Sequence, residues 1–301
     1  MNIEEIKELK LKANEVRRLS IEMIYRAKSG HPGGSLSAAE ILVTLYFKIL
    51  RVDPKNPEWP DRDRFILSKG HASAAYYSVL AMKGYFPMDE LKNFRKINSM
   101  LQGHPTIHIP GVDMTTGSLG QGFSTSLGMA LAGKIDNKDY RVFTLLGDGE
   151  LDEGIVWEAA MSAVHNKLDN LIAIIDRNMY QLDGNTEKIL SLGNVAKKFE
   201  IFGWEVREID GHSIPEIYIS IMELMNKNGK PKAIIAKTVK GKGVSFMENT
   251  HEFHGKAPNK EEYEKAMKEL EEERMKILSD WYGKRKSERI LWKGPSGVRT
   301  R

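Results

Sequence analysis

Cysteine is absent from the 301 residues, which excludes disulfides, thiolate metal sites and iron-sulfur clusters outright. No uncharged apolar run approaches membrane-spanning length. The N-terminal stretch MNIEEIKELKLKANEVRRLS is a charged amphipathic pattern without the apolar segment of a secretory signal. A concentrated basic face is missing too. The net charge is +4, but residues 280–301 hold seven Lys/Arg against two acids, a net of +5, which leaves the rest of the chain at −1. The basic pI therefore belongs to the tail, and the body has no field suited to nucleic acid. These absences lead to the expectation of a soluble cytoplasmic protein with neither nucleic acid nor membrane as partner.

What is present is ample apolar content, 41%, enough to bury a full core. Apolar residues recur at helical spacing over Ile3–Ala27, Ser35–Leu50 and Ser73–Met82. Short extended runs appear at Phe65–Leu67, Val142–Leu146, Leu171–Ile175, Glu205–Ile209 and Ala233–Ala236, with helical patterns at Ile155–Leu168, Asn194–Phe202 and Ile214–Asn226 between the later ones. Strands alternating with helices imply βαβ crossovers, and hence a doubly wound α/β fold: a mainly parallel sheet with helices on both faces. Gly/Pro-rich segments at 29–34, 103–122 and 240–258 are long for connectors. Loops at the carboxyl ends of parallel strands are where such folds bind ligands. We place one domain at 1–258, followed at 259–301 by a charged helix, EEYEKAMKELEEERMKIL, and a tail frayed beyond Gly294. A solvated terminal helix is the simpler reading of that segment, and a docking surface for a second polypeptide the alternative.

The stretch VFTLLGDGELDEG, residues 142–154, runs from a core strand into Asp148, Glu150, Asp152 and Glu153, four carboxylates within six residues. Carboxylates crowded at a strand end repel one another and call for a cation. A second strand, NLIAII, follows one helix later and ends in Asp176, Arg177 and Asn178. A right-handed crossover through a single helix usually pairs neighbours, so Asp148 and Asn178, 30 positions apart, should stand side by side at one sheet edge. A carboxylate and an amide oxygen are hard ligands suited to Mg²⁺, which prefers phosphate oxygens to a cage of protein carboxylates. The backbone carbonyl of Tyr180 could complete the protein's share. Glycines 147 and 149 let the main chain approach a bulky anion. The arrangement asks for a diphosphate.

Of eight histidines, four sit beside glycine in the predicted loops: His31 in SGHPGGS, His71 in SKGHAS, His104 in QGHPT and His254 in FHGKAP. Together they could hydrogen-bond sugar hydroxyls and shuttle protons near neutral pH. A zinc set is disfavoured by the spacing. We read His108, His165, His212 and His251 as structural. Residues 115–122, TTGSLGQG, form a glycine-rich turn into a helix over Phe123–Ala132, whose backbone could pass close to a flat heterocycle.

The segments SGHPGGS, SKGHAS, GHP, TTGSLGQG, GDGELDEG, IDRN and HGKAP, in that order over Ala13–Pro258, resemble the N-terminal, diphosphate-binding domain of transketolase. The resemblance implies the thiamine diphosphate-binding fold, with thiamine diphosphate and Mg²⁺ as cofactors and Ca²⁺ or Mn²⁺ as substitutes for the metal. It implies that Asp148, Asn178 and the carbonyl of Tyr180 bind the metal, that Gly149 and His71 help hold the diphosphate, with Lys240 as a further candidate, and that Gly117, Ser118 and Leu119 line the thiamine. His31, His104 and His254 would contact the ketose near the thiazolium, and Glu153 would join a proton network between the two cofactors of a dimer. Single-chain transketolases are about twice this long. The family's activating glutamate and sugar-phosphate-binding residues lie in the further part. The chain therefore resembles the N-terminal subunit of a split transketolase, completed by a C-terminal subunit that carries the pyrimidine-binding domain, in an α2β2 heterotetramer. The implied reaction moves a two-carbon ketol unit between sugar phosphates, as in the pentose phosphate pathway. The nearest rival is the α subunit of a 2-oxoacid dehydrogenase decarboxylase; a deoxyxylulose phosphate synthase and a silent scaffold fit less well.

Overall fold

The structure is a computed structural model that describes residues 1–291, with side chains to residue 280. The tail expected beyond Gly294 lies outside the described residues. The chain opens with helix α1 (Ile3–Ala27), started by a reciprocal cap in which Asn2 Oδ1 accepts from Glu5 N at 2.9 Å and Glu5 accepts from Asn2 N at 2.8 Å. The helix expected over Ser35–Leu50 is broken into α2 (Pro32–Ser37), α3 (Ala39–Thr44) and a π turn at Leu45–Ile49. Ser37 supplies a reason: its hydroxyl is drawn to the Gly34 carbonyl at 3.2 Å and to Asp176 Oδ2 at 2.6 Å, in competition with the helical ladder.

Strand β1 (Arg64–Leu67) leads into α4 (Ser73–Lys83), and a long irregular segment leads to α5 (Gln121–Ile135). The units β2 (Val142–Gly147), α6 (Gly154–His165) and β3 (Leu171–Arg177) follow as the expected crossover. Next come α7 (Thr186–Ile189), α8 (Val195–Phe202), β4 (Glu205–Asp210), α9 (Ile214–Leu224), β5 (Lys232–Lys237) and α10 (Lys260–Leu291). The five strands are all parallel, in the order β1-β2-β3-β5-β4.

The sheet separates two cores by the period-two alternation of its side chains. Phe65, Leu67, Phe143, Leu145, Ile172 and Ile174 join the core built with α1, α3, α4 and α9. Ile66, Val142, Leu146, Ala173 and Ile175 face the core built with α5, α6 and α8. A third cluster seats Ala266 and Leu270 of α10 against Ile21 of α1, Leu36, Val244 and Met247. Tyr263 stacks on Tyr25 with centroids 4.1 Å apart, and Asn14 donates to the Leu270 carbonyl at 3.0 Å. The first turns of α10 are thus packed rather than solvated, a departure from the simpler reading of that charged segment.

One consequence of all-parallel pairing positions the site. In register, Leu67 stands opposite Leu145, Gly147 opposite Asp176, and Arg177 opposite Lys237. The segments 68–71, 148–154, 178–182 and 238–240 therefore all leave the sheet at the same edge.

Candidate active site

That edge opens into a cleft of about 380 Å³. On one wall the turn after β2 carries Asp148, 1% exposed, whose Oδ2 accepts from Met179 N at 2.5 Å and whose Oδ1 accepts from Gly149 N at 2.9 Å. Arg177 Nη1 lies 3.3 Å from the same carboxylate. Burial pushes the Asp148 carboxyl up to about 6, with Arg177 pulling it back and Asp176 adding to the rise. Asn178 follows β3 and is buried; its Oδ1 accepts from Tyr180 N at 3.1 Å. Met179 between them holds φ at 69°, a left-handed conformation that is costly for a non-glycine residue and recurs at functional sites.

Lys240 bridges the two sides of the cleft. Its Nζ donates to the carbonyls of Tyr180 at 3.1 Å and Gln181 at 3.4 Å and lies 2.7 Å from His254 Nδ1. Burial lowers this lysine to about 8, against the pull of Asp148. The four glycine-flanked histidines come together opposite. His31 stands 5.3 Å from His71, 6.2 Å from His104 and 5.6 Å from His254, and His71 stacks on His254 at 5.2 Å. Burial lowers all four, His31 to about 4 and His254 to about 3, with Arg95 and Lys240 as the next cause for His31 and His254 respectively. In each case burial favours the neutral ring.

Gly117 and Leu119 line the cleft, and Ser118 is exposed beside them. Glu150 fixes this loop: its buried carboxylate accepts from Gly120 N at 2.8 Å, Gly147 N at 3.0 Å and the Ser68 hydroxyl. Glu153 is exposed at the rim. His212, read as structural, lies away from the cleft between Glu40 and the Val239 amide.

The residues fit a metal-bound diphosphate on three counts. Tyr180 O already attracts a cation, the Lys240 ammonium. A Cβ on Gly149 would come 2.8 Å from Gln181 Cβ, so the turn is open only to glycine. Gln181 Oε1 and Asp152 Oδ1, both at the cleft, are buried without a partner, a state that buried polar atoms rarely keep. Among the described residues no three His, Cys, Asp or Glu side chains group as metal ligands, so a cation here depends on the mixed set of Asp148, Asn178 and the Tyr180 carbonyl.

Several residues of the site were invisible in the sequence pattern. Lys69 ion-pairs with Asp176 behind the cleft, both fully buried, and donates to the Gly34 carbonyl at 2.9 Å. Their only signal is a charge inside or next to an apolar strand. Arg95 reaches His31 from an irregular segment with no periodicity. A second cavity, at the opposite end of the sheet, is bordered by Arg51, Lys138, Arg141 and Lys227, each paired to Asp61, Asp63 or Asp139. No predicted site residue lies there.

Comparison with known proteins agrees with this geometry. A family profile described as transketolase, thiamine diphosphate binding domain, matches residues 9–289. The chain is 46% identical over 267 residues to the 6-deoxy-6-sulfo-D-fructose transketolase subunit SqwG of Clostridium sp. (strain MSTE9), covering 88% of this chain and 97% of that one. It is 42% identical over 280 residues to an apulose-4-phosphate transketolase subunit of Phocaeicola vulgatus, covering 93% and 100%. Among solved structures, transketolase from Campylobacter jejuni superposes with a TM-score of 0.81 at 35% identity, over 98% of this chain and 51% of that one. The chain thus spans nearly the whole of the two subunits and about half of the solved enzyme.

Proposed function

We propose a function from one premise: the chain belongs to the transketolase family, as its thiamine diphosphate-binding part. It is one subunit of a two-chain transketolase that moves a two-carbon ketol unit from a ketose phosphate to an aldose phosphate, with thiamine diphosphate and Mg²⁺. A separate C-terminal subunit completes it, in an α2β2 assembly in the cytoplasm. The observation that carries this reading is the two-walled cleft: Asp148, Asn178 and the Tyr180 carbonyl on one side, four histidines, favoured by burial as neutral rings, on the other. The subunit names of the two relatives and their near-complete coverage support a partner chain.

Thiamine diphosphate, when bound, supplies the electron sink that lets a ketose C2–C3 bond break. The chain's own residues do the rest. Asp148 and Asn178 offer side-chain oxygens, and Tyr180 a carbonyl, to Mg²⁺. Lys240 and His71 stand ready for the diphosphate, and the glycine at 149 lets that group approach the turn. The backbone at Gly117, with Ser118 and Leu119, offers a flat surface to the thiamine. His31, His104 and His254 hydrogen-bond sugar oxygens and hold them in place. Glu153 is exposed at the rim, as suits a group that works across a subunit boundary. A 2-oxoacid decarboxylase has less use for so many hydroxyl-binding rings, and the relatives named above are transketolases.

The test is Asp148→Ala in the assembled enzyme. Mg²⁺-dependent binding of thiamine diphosphate, followed by calorimetry, should weaken by more than the roughly 10- to 100-fold that outer-shell partners of a metal cost. Unchanged binding would refute the metal assignment.

A further inference from the structure

Arg95 is a half-buried cation that pairs with no Asp or Glu among the described residues. Its placement is costly. The backbone at Arg95 holds φ at 59°, a strained value for a side-chain-bearing residue, and its amide is fixed to the Leu101 carbonyl at 2.7 Å. Gly103 leaves room for the guanidinium in this position, since a Cβ there would come within 2.7–2.9 Å of it. Its Nη1 donates to Ser29 Oγ at 2.6 Å, and its Nη2 lies 3.4 Å from His31 Nδ1.

A guanidinium has N–H donors and no lone pair to offer. The contact with His31 therefore requires the lone pair on Nδ1, which leaves the ring proton on Nε2. The other groups facing His31 are the rings of His71, His104 and His254 and the Lys240 ammonium, with no carboxylate among them. Nothing there favours an imidazolium. Lys240 repeats the arrangement on His254, whose Nδ1 is its partner at 2.7 Å.

We propose that Arg95 is a positioning residue that holds His31 as the Nε2–H tautomer, so that His31 meets the sugar as a neutral hydrogen-bond donor and not as a proton acceptor. This deepens the transketolase reading and rests on it for the substrate, while the tautomer itself is a property of the chain alone. It also replaces the proton shuttling expected of this histidine with a fixed polarity.

Nitrogen-15 NMR of the full chain labelled at histidine, without cofactor or partner, tests it. Loss of one ring's signals in His31→Gln assigns the residue. Wild-type His31 should show a protonated Nε2 and an unprotonated Nδ1 throughout about pH 6 to 8, where a free histidine would titrate. A protonated Nδ1 would overturn the proposal, whatever the activity of the enzyme. Arg95→Ala should let the Nδ1–H form appear, whereas Arg95→Gln, which keeps an N–H donor, should retain the wild-type pattern; an unchanged pattern in Arg95→Ala overturns it as well. Should Arg95→Ala fail to fold, the wild-type and Arg95→Gln spectra decide. In the assembled enzyme, Arg95→Ala should lower kcat about 10- to 100-fold, the cost of a misplaced reacting contact, with partial rescue by Arg95→Gln and unchanged affinity for thiamine diphosphate. Weakened cofactor affinity with intact kcat would place Arg95 elsewhere in the site.

Discussion

His104 and Gly149 separate two kinds of contribution that share one cleft. His104 stands on the histidine side of the cleft, 6.2 Å from the His31 ring, and a Cβ on Gly117 would come 3.4 Å from it. Its removal should therefore impair the handling of the sugar. In the assembled enzyme His104→Ala is expected to lower kcat by at least about 100-fold, the scale of a well-placed acid-base or donor group, while calorimetric affinity for the cofactor changes little. A selective loss of affinity would move His104 into the diphosphate shell. Gly149→Ala should do the opposite, because the new methyl meets Gln181 Cβ at 2.8 Å and displaces the loop that carries Tyr180 O. Cofactor affinity should fall sharply in the same titration, and wild-type affinity would show that the turn is looser than its geometry. Both residues were legible in the sequence because glycine marks where backbone or ring comes close. Lys69, Asp176 and Arg95 were not, since a pair 107 residues apart and a cation in an aperiodic segment leave no local pattern.

Arg17 of α1, Glu40 of α3 and His212 just before α9 tie three helices on one face of the sheet. Arg17 Nη2 lies 2.6 Å from Glu40 Oε2, and His212 Nδ1 3.0 Å from the same oxygen. Burial alone would raise the Glu40 carboxyl, but Arg17 and His212 outweigh it and hold it at about 2. A carboxyl depressed in the fold stabilises above its unfolded value of 4.5 and loses that contribution as pH falls through about 2. The chain should therefore lose roughly 3 kcal/mol over that acid window from this group. Glu40→Gln should flatten the window and cost about 3–5 kcal/mol at neutral pH, because Arg17 stays buried without its partner. Chemical denaturation at pH 7 and pH 3 reads both, and an acid response equal to wild type would remove Glu40 as its source. At this scale the sheet strands and most helices were legible from periodicity. The break between α2 and α3 was not, because it follows from a hydroxyl reaching Asp176, 139 residues away.

Surfaces of the whole chain bear on what it does alone. Among the exposed apolar side chains are Ile135 at the end of α5, 70% exposed, Leu182 at the cleft rim, 62%, and Ile201 of α8, 81%. On the two-chain reading these side chains are candidates for burial against the partner. The cleft gathers the residues proposed for metal, diphosphate and sugar, while among its described acidic residues Glu153 stands at the rim and Glu150 is committed to the Gly120 and Gly147 amides. On the two-chain reading proposed above, the group that generates the nucleophile comes from the partner, and a site without such a group has little activity. Pure preparations of this chain, given thiamine diphosphate, Mg²⁺ and xylulose 5-phosphate with an aldose acceptor, should transfer ketol units at least roughly 100-fold more slowly than the chain mixed with the C-terminal subunit proposed above. Mixing should also produce a larger species by light scattering, with the exposed apolar residues protected from solvent. Equal rates with and without the partner would remove the two-chain reading and leave the cofactor site to account for activity by itself.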